Sequence, residues 1–169
     1  MSVIQGKRIV YLYRILKEST TNDATAIAFT SENSRSKSRD SDTVSTKSGT
    51  IRVPKDVEIE IQTTALFAGE NDEIIGKLEK ALDDGEVLEI WEVNLDKPQA
   101  GVGTDKFAAK YYHGYITSFE LSSNSEDHAE ASLEFAIEGK GADGYATVTE
   151  EQQALAEYVF KDTTKDTTP

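Results

Sequence analysis

The sequence predicts a mainly β chain, an antiparallel sandwich or open barrel with one α-helix packed at its side. Three observations carry this. The stretch from Asp56 to Thr64 alternates cleanly, with Val57, Ile59 and Ile61 on one side and Glu58, Glu60 and Gln62 on the other. The stretch from His128 to Glu138 alternates in the same way, with Ala129, Ala131, Leu133, Phe135 and Ile137 opposed to Glu130, Ser132, Glu134 and Glu138. A period of two with one apolar and one polar side is the signature of an antiparallel sheet with one wet face. Only one segment in mid-chain has firm helical spacing, and no βαβ alternation occurs, which excludes a doubly wound α/β fold.

Taken in order, Arg8–Leu16 is rich in β-branched and aromatic residues and reads as a strand with Ile9, Tyr11, Tyr13 and Ile15 on one face. The NDAT run at 22–25 turns the chain into a short second strand, Thr25–Thr30. The polar, serine-rich segment that follows shows no hydrophobic period and reads as a long loop or extended arm, placed at 31–53. Loops beyond about 12–15 residues are uncommon in compact domains and are usually functional or disordered, so this arm is the first place to look for function. After the strand at Asp56–Thr64, Asn71 offers a cap to a helix over 71–84, with Ile74, Ile75, Leu78, Ala81 and Leu82 at helical spacing and Gly85 as its stop. Val87–Leu95 is a strand carrying the sole tryptophan, and Phe107–Leu121 is one long strand or a pair broken near Gly114. Thr147 and Glu150 form a capping box before a short helix with Ala154, Leu155, Tyr158 and Val159 on one side. The division is therefore one domain over 1–160 and a flexible tail over 161–169.

With 169 residues and 37% hydrophobic content, the chain supports one lean core, so part of its apolar surface is expected between subunits. Cysteine is absent, which excludes disulfides, thiolate metal sites and cysteine nucleophiles. The opening residues are short and polar and no apolar run approaches the roughly 20 residues that span a bilayer, so neither leader nor membrane anchor is expected. A net charge of −13 argues against a broad phosphate-gripping face and most simply keeps a chain soluble. The charge is uneven: residues 31–55 hold six basic side chains (Arg35, Lys37, Arg39, Lys47, Arg52, Lys55) against three acidic ones (Glu32, Asp40, Asp42), whereas 56–169 hold eight basic and 26 acidic. A basic segment on one copy is then attracted to the acidic body of another, which suits head-to-tail association.

The chemical motifs are weak. Gly139, Gly141 and Gly144 match the dinucleotide-binding glycine spacing, but β-prone YATVT follows where a helix must open around the pyrophosphate, so the run reads as a turn and no cofactor is expected. His113 and His128 have no second histidine at metal-ligand spacing, so no metal is expected. No nucleophile, base and orienting group converge, and no catalytic residue is named. The arm has no aromatic residue between Thr30 and Val53 on which a base could stack, leaving a solvated linker or a polar arm that orders on a protein partner. The acidic rows Glu58/Glu60 and Glu130/Glu134/Glu138 are solvated strand faces or an acidic functional surface.

Several segments in fixed order carry a resemblance: GKRIVYLYRIL, SKSRDSDTVSTKSGTIRVP, DVEIEI, ALDDGEVLEIWEV, YYHGYITSFE, ASLEFAIEGKGADGYATVTEEQ and YVFKDT. Together, from about Gly6 to Thr163, the chain resembles the major tail proteins of siphophages that infect lactococci and related Gram-positive bacteria. The resemblance implies a β-sandwich flanked by a helix, in hexameric rings that stack into a long non-contractile tail tube, assembled in the host cytoplasm and residing in the virion tail. It implies an inter-ring role for the arm (Arg35, Lys37, Arg39, Asp40, Asp42, Lys47, Arg52), terminal-arm contacts through Tyr158, Val159 and Phe160, and a lumen lined by one of the two glutamate rows. The implied partners are further copies of the chain, tail-tip or baseplate and terminator proteins, a tape-measure protein in the lumen, and DNA that passes without binding. A secretion-system tube protein shares the architecture, and a monomeric β-sandwich adhesion or carbohydrate module is the alternative from the binding class, though its usual exposed aromatic cluster is lacking.

Overall fold

The computed structural model describes residues 9–27, 29–67, 72–100, 106–123 and 129–148. Seven strands form a single antiparallel sheet: β1 (Ile9–Ile15), β2 (Thr25–Ala26), β3 (Thr30–Thr46), β4 (Gly49–Leu66), β5 (Leu88–Pro98), β6 (Lys106–Ser122) and β7 (Glu130–Thr147), in the spatial order β2-β1-β5-β6-β7-β4-β3. One helix, α1 (Asp72–Asp84), lies between β4 and β5 in sequence. The expected mainly β fold with a single firm helix is what forms. The sheet curls without closing, because strands far apart in its order meet across its concave side. Tyr13 of β1 hydrogen bonds to Thr63 of β4 at 2.7 Å, and Arg35 of β3 reaches Glu92 of β5 at 2.6 Å.

That concave side is the main core, where Tyr11, Tyr13, Ile59, Ile61, Leu88, Ile90, Tyr112, Ile116, Leu133 and Phe135 are buried. Tyr13 stacks on Phe135 with ring centroids 5.2 Å apart. Thr63, buried among them, donates to Asn33 Oδ1 at 2.8 Å, so its one proton is spent and Tyr13 donates to it. Helix α1 adds Ile74, Ile75, Leu78 and Ala81 to this core, four of the five residues expected on its apolar face, with Leu82 partly buried beside them. Its C-terminus closes as expected at Gly85: the glycine takes φ +68°, and Glu86 N–H bonds Ala81 C=O at 3.0 Å, satisfying an otherwise orphaned helix carbonyl. A smaller cluster on the convex side joins Val10, Leu12, Ala26, Val93, Leu95, Phe107 and Val148.

Two expectations are corrected. The segment read as a loop is a hairpin: β3 pairs with β4 from Thr30↔Ala65 to Thr46↔Gly49, with a register shift near Asp40. The GKGADG run is not a terminal turn but the middle of β7, where Gly139 (φ +69°) and Gly141 (φ +78°) absorb a register shift against β6 between Tyr111 and His113. Of the two readings of β6, one long strand or a pair broken near Gly114, the single strand is what forms. Gly114 is needed there for closeness, since a Cβ would lie 2.4 Å from the Ala136 carbonyl oxygen. The Asn71 cap, His128 and the second helix with its capping box fall outside the described residues, save Thr147, which ends β7.

Candidate functional site: the projecting arm and the acidic face

β4 pairs with β7 only from Ile59↔Ile137 to Leu66↔Glu130. Among the described residues, the β3–β4 hairpin beyond Ile59 has no partner strand other than itself, and every residue from 36 to 56 is exposed. Along the arm the two strands hydrogen bond to each other, and the alternate backbone groups on their outer edges face solvent. Alternation sorts its root: Arg35, Lys37 and Arg39 pair opposite Ile61, Ile59 and Val57, on the concave side, while Ser34, Ser36 and Ser38 pair opposite Gln62, Glu60 and Glu58.

Of the arm residues singled out in the sequence, Lys37, Arg39, Asp40, Asp42, Lys47 and Arg52 are exposed along the hairpin, and Asp42 pairs with Lys55 at 3.4 Å. Arg35 is different. It is half-buried at the root, where its guanidinium spans both oxygens of Glu92 (2.6 and 3.3 Å) while Tyr11 donates to the same carboxylate at 2.7 Å. Burial is the first cause that pushes the Tyr11 phenol far above its ordinary value, with the Glu92 hydrogen bond adding to it. Asp143 is held below its ordinary value first by the hydrogen bond from Lys110, at 2.9 Å, and also by the nearby Lys37. The arm's root is thus tied to β5 and set beside the outer half of β7.

The two glutamate rows, alternatives in the sequence, are one surface. β4 and β7 are neighbours, and their register sets Glu60 opposite Ala136 and Gln62 opposite Glu134. Glu58, Glu60, Glu130, Glu134 and Glu138 are all exposed and share the convex side. Glu120 of β6, opposite Ser132, and Glu32 of β3, opposite Thr64, join them. Between Glu130 and Glu138 and on the strands beside them, the other positions of this face are Ser34, Ser36, Ser38, Gln62, Thr64, Leu66, Ser132, Ala136, Ser118, Ser122, Tyr115 and His113, the last opposite Glu138, so no lysine or arginine lies among them.

Beside this face lies a polar network that sequence reasoning missed. Glu89 is 3% exposed, receives Arg14 Nε at 2.8 Å and accepts from the Tyr111 hydroxyl. With that proton committed, Tyr111 accepts from His113 Nε2–H at 2.7 Å. Arg14 also sits 5.0 Å over the Trp91 ring, which meets Tyr111 edge-on. Burial raises the Glu89 carboxyl, but the hydrogen bonds from Arg14 and Tyr111 outweigh it and leave it below its ordinary value. The signal available was an acid inside the apolar run LEIWEV. Tyr158, Val159 and Phe160 lie outside the described residues. Among the described residues no cluster of His, Asp and Glu is placed to hold a metal, and no helix is long and apolar enough to cross a membrane.

A curled sheet with a standing β-arm at one edge and an uninterrupted acidic face defines a structural, self-assembling protein of the phage tail-tube class. The sequence matches the family described as phage tail tube protein over residues 3–143, and the chain belongs to that family. It is 34% identical over 148 residues to a tail protein of Staphylococcus phage phiMR25, covering 85% of this chain and 75% of the relative. Its fold is similar to the SPP1 tail tube (TM-score 0.70, 20% identity, 97% of this chain and 96% of that one). It is also similar to the tail of a gene transfer agent particle described with C6 symmetry (TM-score 0.58, 16% identity, 87% and 100%). The protein is a structural component of the virion tail, and its family is not enzymatic.

Proposed function

We propose that six copies form a ring, that rings stack into the tube of a long non-contractile tail, and that the acidic convex face lines its lumen. The observation that carries the last point is the merging of both glutamate rows on adjacent strands with no lysine or arginine among them. Duplex DNA carries one negative charge per about 1.7 Å of axis, so a cationic bore would hold it. An anionic one repels it over a Debye length of about 8 Å and keeps it sliding. Six is the number read from the C6 tail that the fold resembles. Within a ring the interface is heterologous and closes by rotation; between rings it is heterologous and stays open, which makes a tube.

The arm bridges rings. Lys37, Arg39, Lys47 and Arg52 face an acidic neighbour while Arg35 stays with Glu92 to aim the hairpin, and Asp40 and Asp42 sit on the same exposed stretch. Segment Tyr158–Phe160 adds terminal contacts in this reading. The tube meets terminator and tail-tip or baseplate proteins at its ends, and holds a tape-measure protein before DNA passes.

The test is charge reversal of Glu58, Glu60, Glu134 and Glu138 to lysine in assembled particles. Tubes of normal appearance with slowed DNA ejection are expected; ejection at the unmodified rate would remove the lumen assignment.

A further inference from the structure

The arm is not uniformly polar. Val44 pairs directly opposite Ile51, and Val53, two residues along the same strand, lies on the same face. The three are 44%, 53% and 46% exposed and form a short apolar stripe near the tip, with Asp42 opposite Val53 and ion-paired to Lys55, Lys47 in the turn, and Arg52 on the other face opposite Thr43. Such a stripe serves no core in its own subunit, because residues 36–56 are exposed throughout.

A second exposed apolar patch lies at the opposite end of the same sheet. β4, β7 and β6 set Ala65, Ala131 and Leu121 in register, so Phe67, two residues past Ala65, shares a face with Leu121. Phe29 precedes β3 there, its carbonyl accepting from Leu66 N–H at 3.0 Å. Phe29, Phe67 and Leu121 are 50%, 37% and 52% exposed. Glu120 and Glu130 adjoin this patch in sequence and register but alternate to the opposite, convex face. One end of the molecule therefore carries an exposed apolar stripe, and the other an exposed apolar patch.

We infer that the Val44–Ile51–Val53 stripe docks on the Phe67–Leu121 patch, with Phe29 at its side, of a second copy of this chain in the next ring. The inference rests on the tube reading and adds which residues carry the inter-ring contact and where they land. Complementary surfaces at opposite ends of one chain generate open, head-to-tail growth. The reach suffices: about eleven residues separate Ile59 from the turn, on the order of 35 Å at strand rise. Apolar burial supplies the adhesion, and the placement of the two surfaces at opposite ends of β4 sets the polarity.

The chain has no cysteine of its own, which makes cross-linking clean. Tubes assembled from an Ile51→Cys/Leu121→Cys variant and treated with a short bismaleimide are expected to give a ladder of covalent multimers on a denaturing gel, while either single variant gives none. Intact tubes without a ladder would overturn the inference and leave the tube reading standing. A chain without substitutions that never forms tubes on supplied tail tips would overturn both. An Ile51→Asp variant guards against assembly failure of the cysteine pair. It is expected to keep the thermal midpoint of the unaltered subunit yet form rings that do not stack, and stacking at the normal yield would equally overturn the docking.

Discussion

Glu89 is the residue whose chemistry is most exposed to pH. It is buried, yet its carboxyl is held below its ordinary value of 4.5 because Arg14 and Tyr111 both hydrogen bond to it. A carboxyl depressed in the folded state contributes stability that is present above the unfolded pKa and is lost as pH falls through the folded one. Glu89→Gln is therefore expected to cost about 1–3 kcal/mol at neutral pH, the range for hydrogen bonds to charged groups. The deficit should shrink as pH falls below 4.5, where the unfolded chain's carboxyl takes up its proton before the native one does. Urea melts across pH check this, and a deficit that does not change with pH would contradict it. Gly114 gives a second test at this scale. With the Ala136 carbonyl oxygen 2.4 Å from where its Cβ would stand, Gly114→Ala forces β6 and β7 apart. A loss of about 1–3 kcal/mol is expected from such overpacking, read as a lowered thermal midpoint.

Among the elements, the arm separates assembly from folding. Removing residues 41–54 and closing the hairpin with a two-residue turn takes away only exposed side chains, so the body is expected to melt within about 2 °C of the intact chain, under 1 kcal/mol for this size. The same deletion should abolish stacking, seen as single rings by electron microscopy; tubes from the deleted chain would contradict the role of the arm. The arm also shows where the sequence was hard to read. Strands β4 and β7 and helix α1 were legible because each buries one side, so hydrophobic period and burial agree at Ile59, Ile61, Leu133 and Phe135 and again at Ile75 and Leu78. The β3–β4 hairpin buries neither side beyond its root, and a reading based on apolar period sees nothing. The period of two was nevertheless present in charge, as Ser34, Ser36 and Ser38 alternate with Arg35, Lys37 and Arg39. The glycines of GKGADG read as a turn because positive φ usually ends a strand; here two of them let one strand bulge and continue.

For the whole molecule, what the sequence could not show is adjacency. Each glutamate row was visible as an alternation, but their fusion depends on β4 lying beside β7 across more than 60 residues of chain, with Thr64 opposite Ser132. Likewise, pairing of Arg35 with Glu92 depends on a curl that brings the edge strand β3 over β5. The result is a subunit divided by charge, with an acidic stretch of the convex face across β3, β4, β7 and β6, a basic row along the root of its arm, and the arm itself projecting past the body. The division suits a particle that must adhere to itself along its axis while refusing the polyanion that runs through it. The most direct test is a helical reconstruction of tubes assembled from the intact chain, at a resolution that traces the strands. The account predicts Glu58, Glu60, Glu130, Glu134 and Glu138 lining the bore and the β3–β4 hairpin crossing into the next ring. A reconstruction with those glutamates on the outer wall or sealed between subunits would contradict it.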